Sequence, residues 1–430
     1  MESWLERNKN SAMDEFLLKE ILKTVSISFV LEDIDRIQST LICELRDSYV
    51  QQSQRYVALA GETYTQPNLD EEDNAKARLL FAEAGSLYGE MSRLKDPGFK
   101  GRPQAEHYIY GIPIEDARYI LPLAVKTNVC TAMSGDKLFE FFRLLRDGTY
   151  GDMFSALAAE LAGYLPPALV CLLPGEYDSG FGGECAEDFY RDYFAEISAE
   201  NNLVYFDGFA ELTRNVGLGA LTSTSADPPS LVLEKWGSDA DSKARGVVER
   251  VLGYGHESIA EQARTTFGLM CSLAAYHQQL RHRLFQNRRE SLSALIWDKD
   301  REVKTPESIK RSVFYPEFQR IVRQFKEFRI AAARKYGEDK ALLFLLNCDQ
   351  IKLITSANAR ADAMMLKDRT CMNAQWEIRD LALKKLACLR KLSGVLYEKA
   401  LPACVFGKCR EGKLTCGRQA EVRARFSAGG

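Results

Sequence analysis

Two stretches far apart in the chain read the same way. VSISFVLEDIDRIQSTLICEL, residues 25–45, and ARTTFGLMCSLAAYHQQLRHRLF, residues 263–285, each describe a short strand passing into a helix, followed by a polar turn with paired serines. Each is followed by a helical reading, EDARYILPLAVKTNVCTAMSGDKLFEFFRLLR over 115–146 and KALLFLLNCDQIKLITSANARADAMMLKDRTCMNAQWEIRDLALKKL over 340–386. A repeated order of elements constrains the fold more than any single motif, because each copy must bury equivalent faces. An internal duplication is therefore expected, with 1–190 as the first half and 200–430 as the second. The boundary falls in LPGEYDSGFGGECAEDF (173–189), rich in Gly and acid and without periodicity, and SADPPS (225–230) marks a second break. Between them NNLVYFDGFAEL alternates like the start of a strand.

At 430 residues and 46% apolar content, the chain is long enough for more than one buried core. Its 57 Lys and Arg nearly cancel 60 Asp and Glu, so no overall field draws it to nucleic acid or a membrane, and any basic site is local. The start, MESWLERNKNSAMDEF, lacks the apolar core of a signal peptide, and no run approaches the roughly 20 apolar residues that span a bilayer. A cytoplasmic protein is expected. Eleven Cys are too sparse for a disulfide scaffold. Cys404, Cys409 and Cys416 form a C-x4-C-x6-C group, but no fourth ligand is nearby in sequence and neither spacing is a zinc-ribbon knuckle, so no metal is expected.

SYVQQSQRY, residues 48–56, reads in two ways. It is an edge strand with solvated polar residues, or part of an anion site, since serine hydroxyls and the planar donors of an Arg match phosphate oxygens. A second cluster is Arg281-His282-Arg283, notable in a chain with only 4 His. On a helix Arg281 and Arg283 would lie about 200° apart and reach two anions or stack on a planar ligand. Asn358, Arg360 and Arg369 add donors ahead of the amphipathic helix NAQWEIRDLALKKL. So many guanidinium and amide donors in apolar surroundings suggest a polyanionic, planar ligand.

The pattern RHRxxSxxxxSxR followed by Tyr, with a GHE motif upstream and ARxxLP, NAR and AQWEI downstream, resembles the flavin-dependent thymidylate synthases. GHES, RHR, NAR and AQWEI stand in register in the second half, and the likeness covers nearly the whole chain twice over. It implies an α+β fold, a small sheet packed on long helices, present as two tandem copies forming a pseudo-dimer. It also implies methylation of dUMP to dTMP with FAD, NADPH and 5,10-methylenetetrahydrofolate, and two chains pairing as a homodimer to mimic the family's tetramer.

Each half departs from the family signature, and the departures are complementary. The first keeps Ser48, Ser53, Arg55, Tyr56 and the ARxxLP arginine, Arg118, but has Cys43-Glu44-Leu45 for RHR, Ser134-Gly135-Asp136 for NAR and Leu145 for the late arginine. The second keeps RHR, NAR and Arg369, but has Gln286 for the first serine, Ser293 for the signature arginine and Leu342 for the ARxxLP arginine. In the family each pocket draws on two subunits, so one whole site can be assembled. The resemblance then implies Ser53, Arg55 and Arg118 on the nucleotide phosphate, with Gln278, Arg281, Gln51 and Gln52 also binding substrate. Arg281, His282, Arg283, Asn358, Arg360, Ser258, Ser225 and Asn373 would contact FAD. Arg369 would polarise the uracil carbonyl, and His256 and Tyr56 would stack on the folate.

Three functions of different class are compatible with these residues. They are a fused thymidylate synthase with one site per chain, a fused relative that alkylates or reduces another pyrimidine nucleotide, and a non-catalytic nucleotide-binding protein. Retention of one complete phosphate set argues against the last.

Overall fold

The computed structural model describes residues 6–7, 15–59, 63–101, 103–179, 184–208 and 211–427. Most of the charged start of the chain and the Gly-rich centre of the 173–189 boundary lie outside the described residues. In the first copy the elements are α1 (Glu15–Leu22), β1 (Ser26–Asp35), α2 (Arg36–Glu44), β2 (Ser48–Gln51), α3 (Glu71–Met91), β3 (Lys126–Ser134), α4 (Gly135–Leu145) and α5 (Ser155–Tyr164). After α6 (Glu184–Ala195), β4 (Leu203–Gly208) and helices over Leu212–Thr222, Pro229–Trp236 and Ala240–Gly253, the second copy repeats the order from β1 onward. It has β5 (Arg264–Ser272), α7 (Leu273–Gln279), β6 (Gln286–Arg289), α8 (Tyr315–Tyr336), β7 (Gln350–Asn358), α9 (Ala359–Arg369) and α10 (Trp376–Leu392). No helix among the described residues is long and apolar enough to cross a membrane.

The expected strand-to-helix passages are present as β1–α2 and β5–α7, and Leu203–Gly208 is the strand expected in NNLVYFDGFAEL. The continuous helical readings over 115–146 and 340–386 are corrected: a strand, β3 or β7, interrupts each. The period in KTNVCTAMS is two, burying Thr127, Val129, Thr131 and Met133 while Asn128, Cys130 and Ala132 face out. Apolar residues flanking these strands made the segments read as one helix.

The chain forms two compact units. One comprises Met1–Asp188, Ser272–Ala274 and Ser291–Gln350, the other Phe189–Cys271, Ala275–Glu290 and Ile351–Gly430. Units and copies are thus different partitions, since residues 291–350 of the second copy pack within the first unit.

In that first unit, β3 is the centre of an antiparallel sheet ordered β1-β3-β2. The two copies meet here through backbone. Leu123 N–H donates to the Leu345 carbonyl at 2.7 Å, and the corresponding Asn347 N–H to Leu121 at 2.9 Å. Ala124 N–H donates to Leu343 at 3.1 Å, and the corresponding Cys348 N–H to Tyr119 at 3.0 Å. The four bonds obey a local two-fold relation between equivalent positions. Around them α3 and α8, also equivalents, pack through Phe81 and Phe325, with ring centroids 6.2 Å apart, and Phe344 stacks on Phe81 at 5.3 Å. The buried Arg329–Asp349 ion pair, 2.6 Å, holds the second-copy segment in place, with Asp349 also accepting the Leu346 N–H.

The second unit carries a four-stranded sheet ordered β4-β5-β7-β6. Phe267, Phe285, Ala357, Leu366, Leu386, Leu389 and Tyr397 form its core. Asn358 caps α9 by accepting the Ala361 N–H at 2.8 Å, and Gln375 caps α10 by accepting that of Ile378 at 3.1 Å.

Asp35 caps α2 in a reciprocal capping box with Gln38 and is buried. Burial outweighs the hydrogen bonds from the Gln38 and Ile37 backbone and from Thr65, and pushes its carboxyl from 3.8 up to about 7. A folded-state pKa above the unfolded one means that the folded protein holds the proton more tightly. The resulting stability is full below the unfolded value, near 4, and is lost as pH rises through about 7. Asp35→Asn keeps a capping oxygen without a charge to bury. The variant should exceed the wild type in stability by roughly 1–3 kcal/mol at pH 8, with the gain shrinking at pH 5. Urea unfolding at the two pH values measures this, and an equal difference at both would show that ionisation is not the cause.

Candidate functional site

The SYVQQSQRY stretch begins as the edge strand of its first reading and ends in a turn that carries the residues of the second. Ser48–Gln51 is β2, an edge strand, and the chain then turns so that Ser53 Oγ accepts the Arg55 N–H at 3.2 Å. That turn directs Arg55 inward, where its side chain is 6% exposed and its Nε donates to Glu115 Oε2 at 2.8 Å. The same Glu115 accepts through its carbonyl from Arg118 Nε at 3.2 Å, and Arg118 is fully buried. Glu115 therefore organises both guanidiniums, one with its carboxylate and one with its backbone. The second copy locks the carbonyl of Arg118, since Asn347 Nδ2 donates to it at 3.0 Å and to Gln54 Oε1 at 3.3 Å. Asp116, next in sequence, is turned to Ser308, whose hydroxyl donates to it at 2.6 Å. Tyr56 is half exposed, with the Arg55 guanidinium 5.8 Å from its ring centroid. The structure thus assembles Ser53, Arg55, Tyr56 and Arg118. The side chains of Gln51 and Gln52 have local partners: Gln51 Nε2 donates to Ser39 Oγ of α2 at 2.8 Å, and Gln52 Oε1 accepts from Asn128 of β3 at 3.1 Å.

The equivalent place in the second copy has the same turn with different chemistry. Ser291 Oγ accepts the Ser293 N–H at 3.2 Å as Ser53 does for Arg55, but the Ser293 hydroxyl donates to Glu338 at 2.8 Å, and Leu342 fills the Arg118 position as a buried apolar side chain. The backbone device survives there without either cation.

The second set lies in the other unit. Arg281-His282-Arg283 sits not on a helix but in the turn after α7, which ends at Gln279, so the helical spacing expected for it does not apply. The turn exposes Arg281 and Arg283 and points His282 inward, where its Nε2 accepts from Arg369 Nε at 2.8 Å. Burial, reinforced by the charges of Arg369, Lys385 and Arg281, holds the imidazole well below its ordinary pKa of 6.5. It is therefore neutral, as an acceptor must be. Gln278, on α7, is buried with an Oε1 that meets no donor.

Arg360 lies in the first turn of α9 and pairs with Glu261 at 2.6 Å, while its Nε is buried and meets no acceptor. A cavity of about 190 Å³ opens beside it, lined by Glu249, Glu257, Arg360, Lys367 and Lys399 among apolar neighbours. His256 and Ser258 are exposed, at and just inside the start of the short Glu257–Gln262 helix that carries Glu261. Three residues expected at a cofactor have local structural partners. Asn358 caps α9, Ser225 Oγ accepts the Asp227 N–H at 3.1 Å, and Asn373 Nδ2 donates to the Leu414 carbonyl at 2.8 Å. Sequence reasoning missed Glu115 and the pairing of Glu261 with Arg360. Each acid is close in sequence to a motif that was read, three residues before Arg118 and within GHESIAEQ. Among the described residues no group of three or more His, Cys, Asp or Glu is placed to hold a metal ion, Cys404, Cys409 and Cys416 included.

The sequence model of the thymidylate synthase complementing protein family matches residues 9–150 and again 219–393. The chain belongs to this family, and as two tandem copies of it. Over 195 residues it is 33% identical to the flavin-dependent thymidylate synthase of Geobacter sulfurreducens, covering 43% of this chain and 82% of that one. Over 176 residues it is 32% identical to the enzyme of the same name from Pyrococcus furiosus, covering 38% and 72%. These relatives place it in an enzyme class, the flavin-dependent thymidylate synthases. A crystal structure of the Helicobacter pylori enzyme complexed with FAD and dUMP aligns over 46% of this chain and 99% of that one, at 19% identity and a TM-score of 0.38.

Removing the carboxylate of Glu115 deprives a buried guanidinium of its counter-charge. Glu115→Ala should cost roughly 1–3 kcal/mol, and Arg55→Ala in the same chain should recover part of it. A double-mutant cycle by urea unfolding checks this, strictly additive costs meaning that the pair is not coupled.

Proposed function

We propose that the chain is a flavin-dependent thymidylate synthase that methylates dUMP, with capacity for one nucleotide and one flavin per chain. The observation that carries this reading is complementary retention. The first copy keeps the Arg55–Glu115–Arg118 constellation where the second has Ser293 and Leu342, and the second keeps the His282–Arg369 contact where the first has Glu44 and Leu145.

The residues of the second set fit an anionic, planar cofactor. Arg360 Nε is a buried donor awaiting an acceptor, a cavity opens beside it, and Arg281 and Arg283 are exposed around the inward His282. Arg281, His282, Arg283, Arg360 and Ser258 would hold FAD, which supplies the redox chemistry when bound. On the nucleotide side Ser53, Arg55 and Arg118 bind the phosphate. Arg369, held at Nε by His282, directs its terminal nitrogens to a uracil carbonyl. A cation there favours enolate character at C5, the carbon that attacks. The one-carbon unit comes from 5,10-methylenetetrahydrofolate, with His256 and Tyr56 as its stacking partners, and the reducing equivalents from NADPH. Two chains pair in the cytoplasm to mimic the family's tetramer.

Purified protein should be yellow and carry one FAD per chain by absorbance against protein concentration; two would show that both copies bind flavin. Arg55→Ala and Arg118→Ala should each weaken dUMP binding by roughly tenfold or more, whereas Ser293→Ala should leave it unchanged. Titration calorimetry reads this, and equal losses from both groups would overturn the assignment. Formation of dTMP from dUMP by the purified chain tests the activity itself.

A further inference from the structure

Behind the RHR turn lies a charged pair that the reaction as described does not use. Lys385 of α10 reaches Asp362 of α9 at 2.6 Å, with side chains 4% and 0% exposed. The other Asp362 oxygen accepts the Thr265 hydroxyl at 3.0 Å. The Lys385 ammonium lies 4.7 Å from the centre of the Phe267 ring and 4.9 Å from that of Phe285. Phe285 closes the RHR turn, and its ring lies 5.8 Å from that of His282. A chain of contacts therefore runs from Asp362 through Lys385 and Phe285 to His282, and from His282 to Arg369.

The duplication provides an internal control. When β3 and α4 are aligned with β7 and α9, Asp362 corresponds to Leu138 and Lys385 to Leu161, both buried in the first copy. The fold thus accepts two leucines here. A buried ion pair loses much of its attraction to desolvation, and apolar replacements of similar volume are commonly as stable. The charged pair is kept in the copy that also keeps RHR and the late arginine, and is absent from the copy that has lost both.

We propose that Asp362 and Lys385 are positioning residues for the second set: they brace the Phe285–His282 turn and keep His282 an acceptor, so that Arg369 stays aimed. The charged and titratable groups around them are Arg281 in the turn, Arg369 on α9, Cys388 on α10, and the Tyr397 and Tyr205 hydroxyls on the Asp362 side. Lys385 is the member of the pair whose field reaches the imidazole and opposes its protonation. Replacing the pair with leucines should therefore raise the pH at which His282 titrates.

The test uses the full chain carrying D362L/K385L, the first-copy solution. Its unfolding midpoint should stay at or above that of the wild type. By NMR of the 4 histidines, assigned by single His→Gln variants, His282 should titrate at higher pH than in the wild type. FAD affinity, read by fluorescence quenching, should fall about tenfold at pH 6 and recover towards pH 8, while the wild type stays flat. Lys385→Arg should behave as wild type. A folded double variant with unchanged His282 titration and unchanged FAD affinity would overturn the proposal, leaving the pair a packing feature. The affinity arm rests on the flavin reading above. Wild-type protein that binds no FAD would defeat that reading alone, and the His282 titration would still decide this one.

Discussion

Four backbone hydrogen bonds between residues 119–124 and 343–348 carry much of this structure. They are formed by equivalent positions of two copies, and they place main chain at the centre of a unit whose surrounding side chains are almost wholly buried. A main-chain contact is indifferent to side-chain identity. It preserves the paired geometry while the side chains on either side diverge, and this is what has happened at positions 118 and 342, one an arginine and the other a leucine.

That tolerance explains how two copies of one signature could decay differently without loss of the fold. Burying a guanidinium demands compensation, which the Glu115 carbonyl supplies at the Nε of Arg118. Replacing the cation with Leu342 removes the demand. The serine turn is retained in both copies because it is a local backbone device, Ser53 for Arg55 and Ser291 for Ser293. A duplicated enzyme that needs one working constellation can let the other relax towards ordinary core packing.

Much of this was legible in the sequence. The duplication and both strand-to-helix passages followed from motif order, and the proximity of Ser53, Arg55 and Arg118 from the family resemblance. The strands inside 115–146 and 340–386 were hidden because apolar residues on either side of a period-two segment fill the gaps that alternation would show. RHR was assigned to a helix because α7 runs up to it without an evident stop signal. The partition into units could not be read at all, since it depends on where residues 291–350 pack, a tertiary choice with no local mark. Acids such as Glu115 and Asp362 escaped notice because a lone carboxylate has no pattern until its cation is located.

Gly135 opens α4 where the second copy has Ala359. A Cβ at Gly135 would lie 2.7 Å from the Leu22 carbonyl oxygen and 2.9 Å from the Leu22 Cβ, so α1 has settled against the start of α4 at a distance that only glycine permits. Restoring Asn-Ala-Arg at 134–136 would now require α1 to withdraw. Substitution at Gly135 alone therefore meets a steric barrier set by the end of α1. The asymmetry between the copies is thus held in place by backbone packing as well as by side-chain identity.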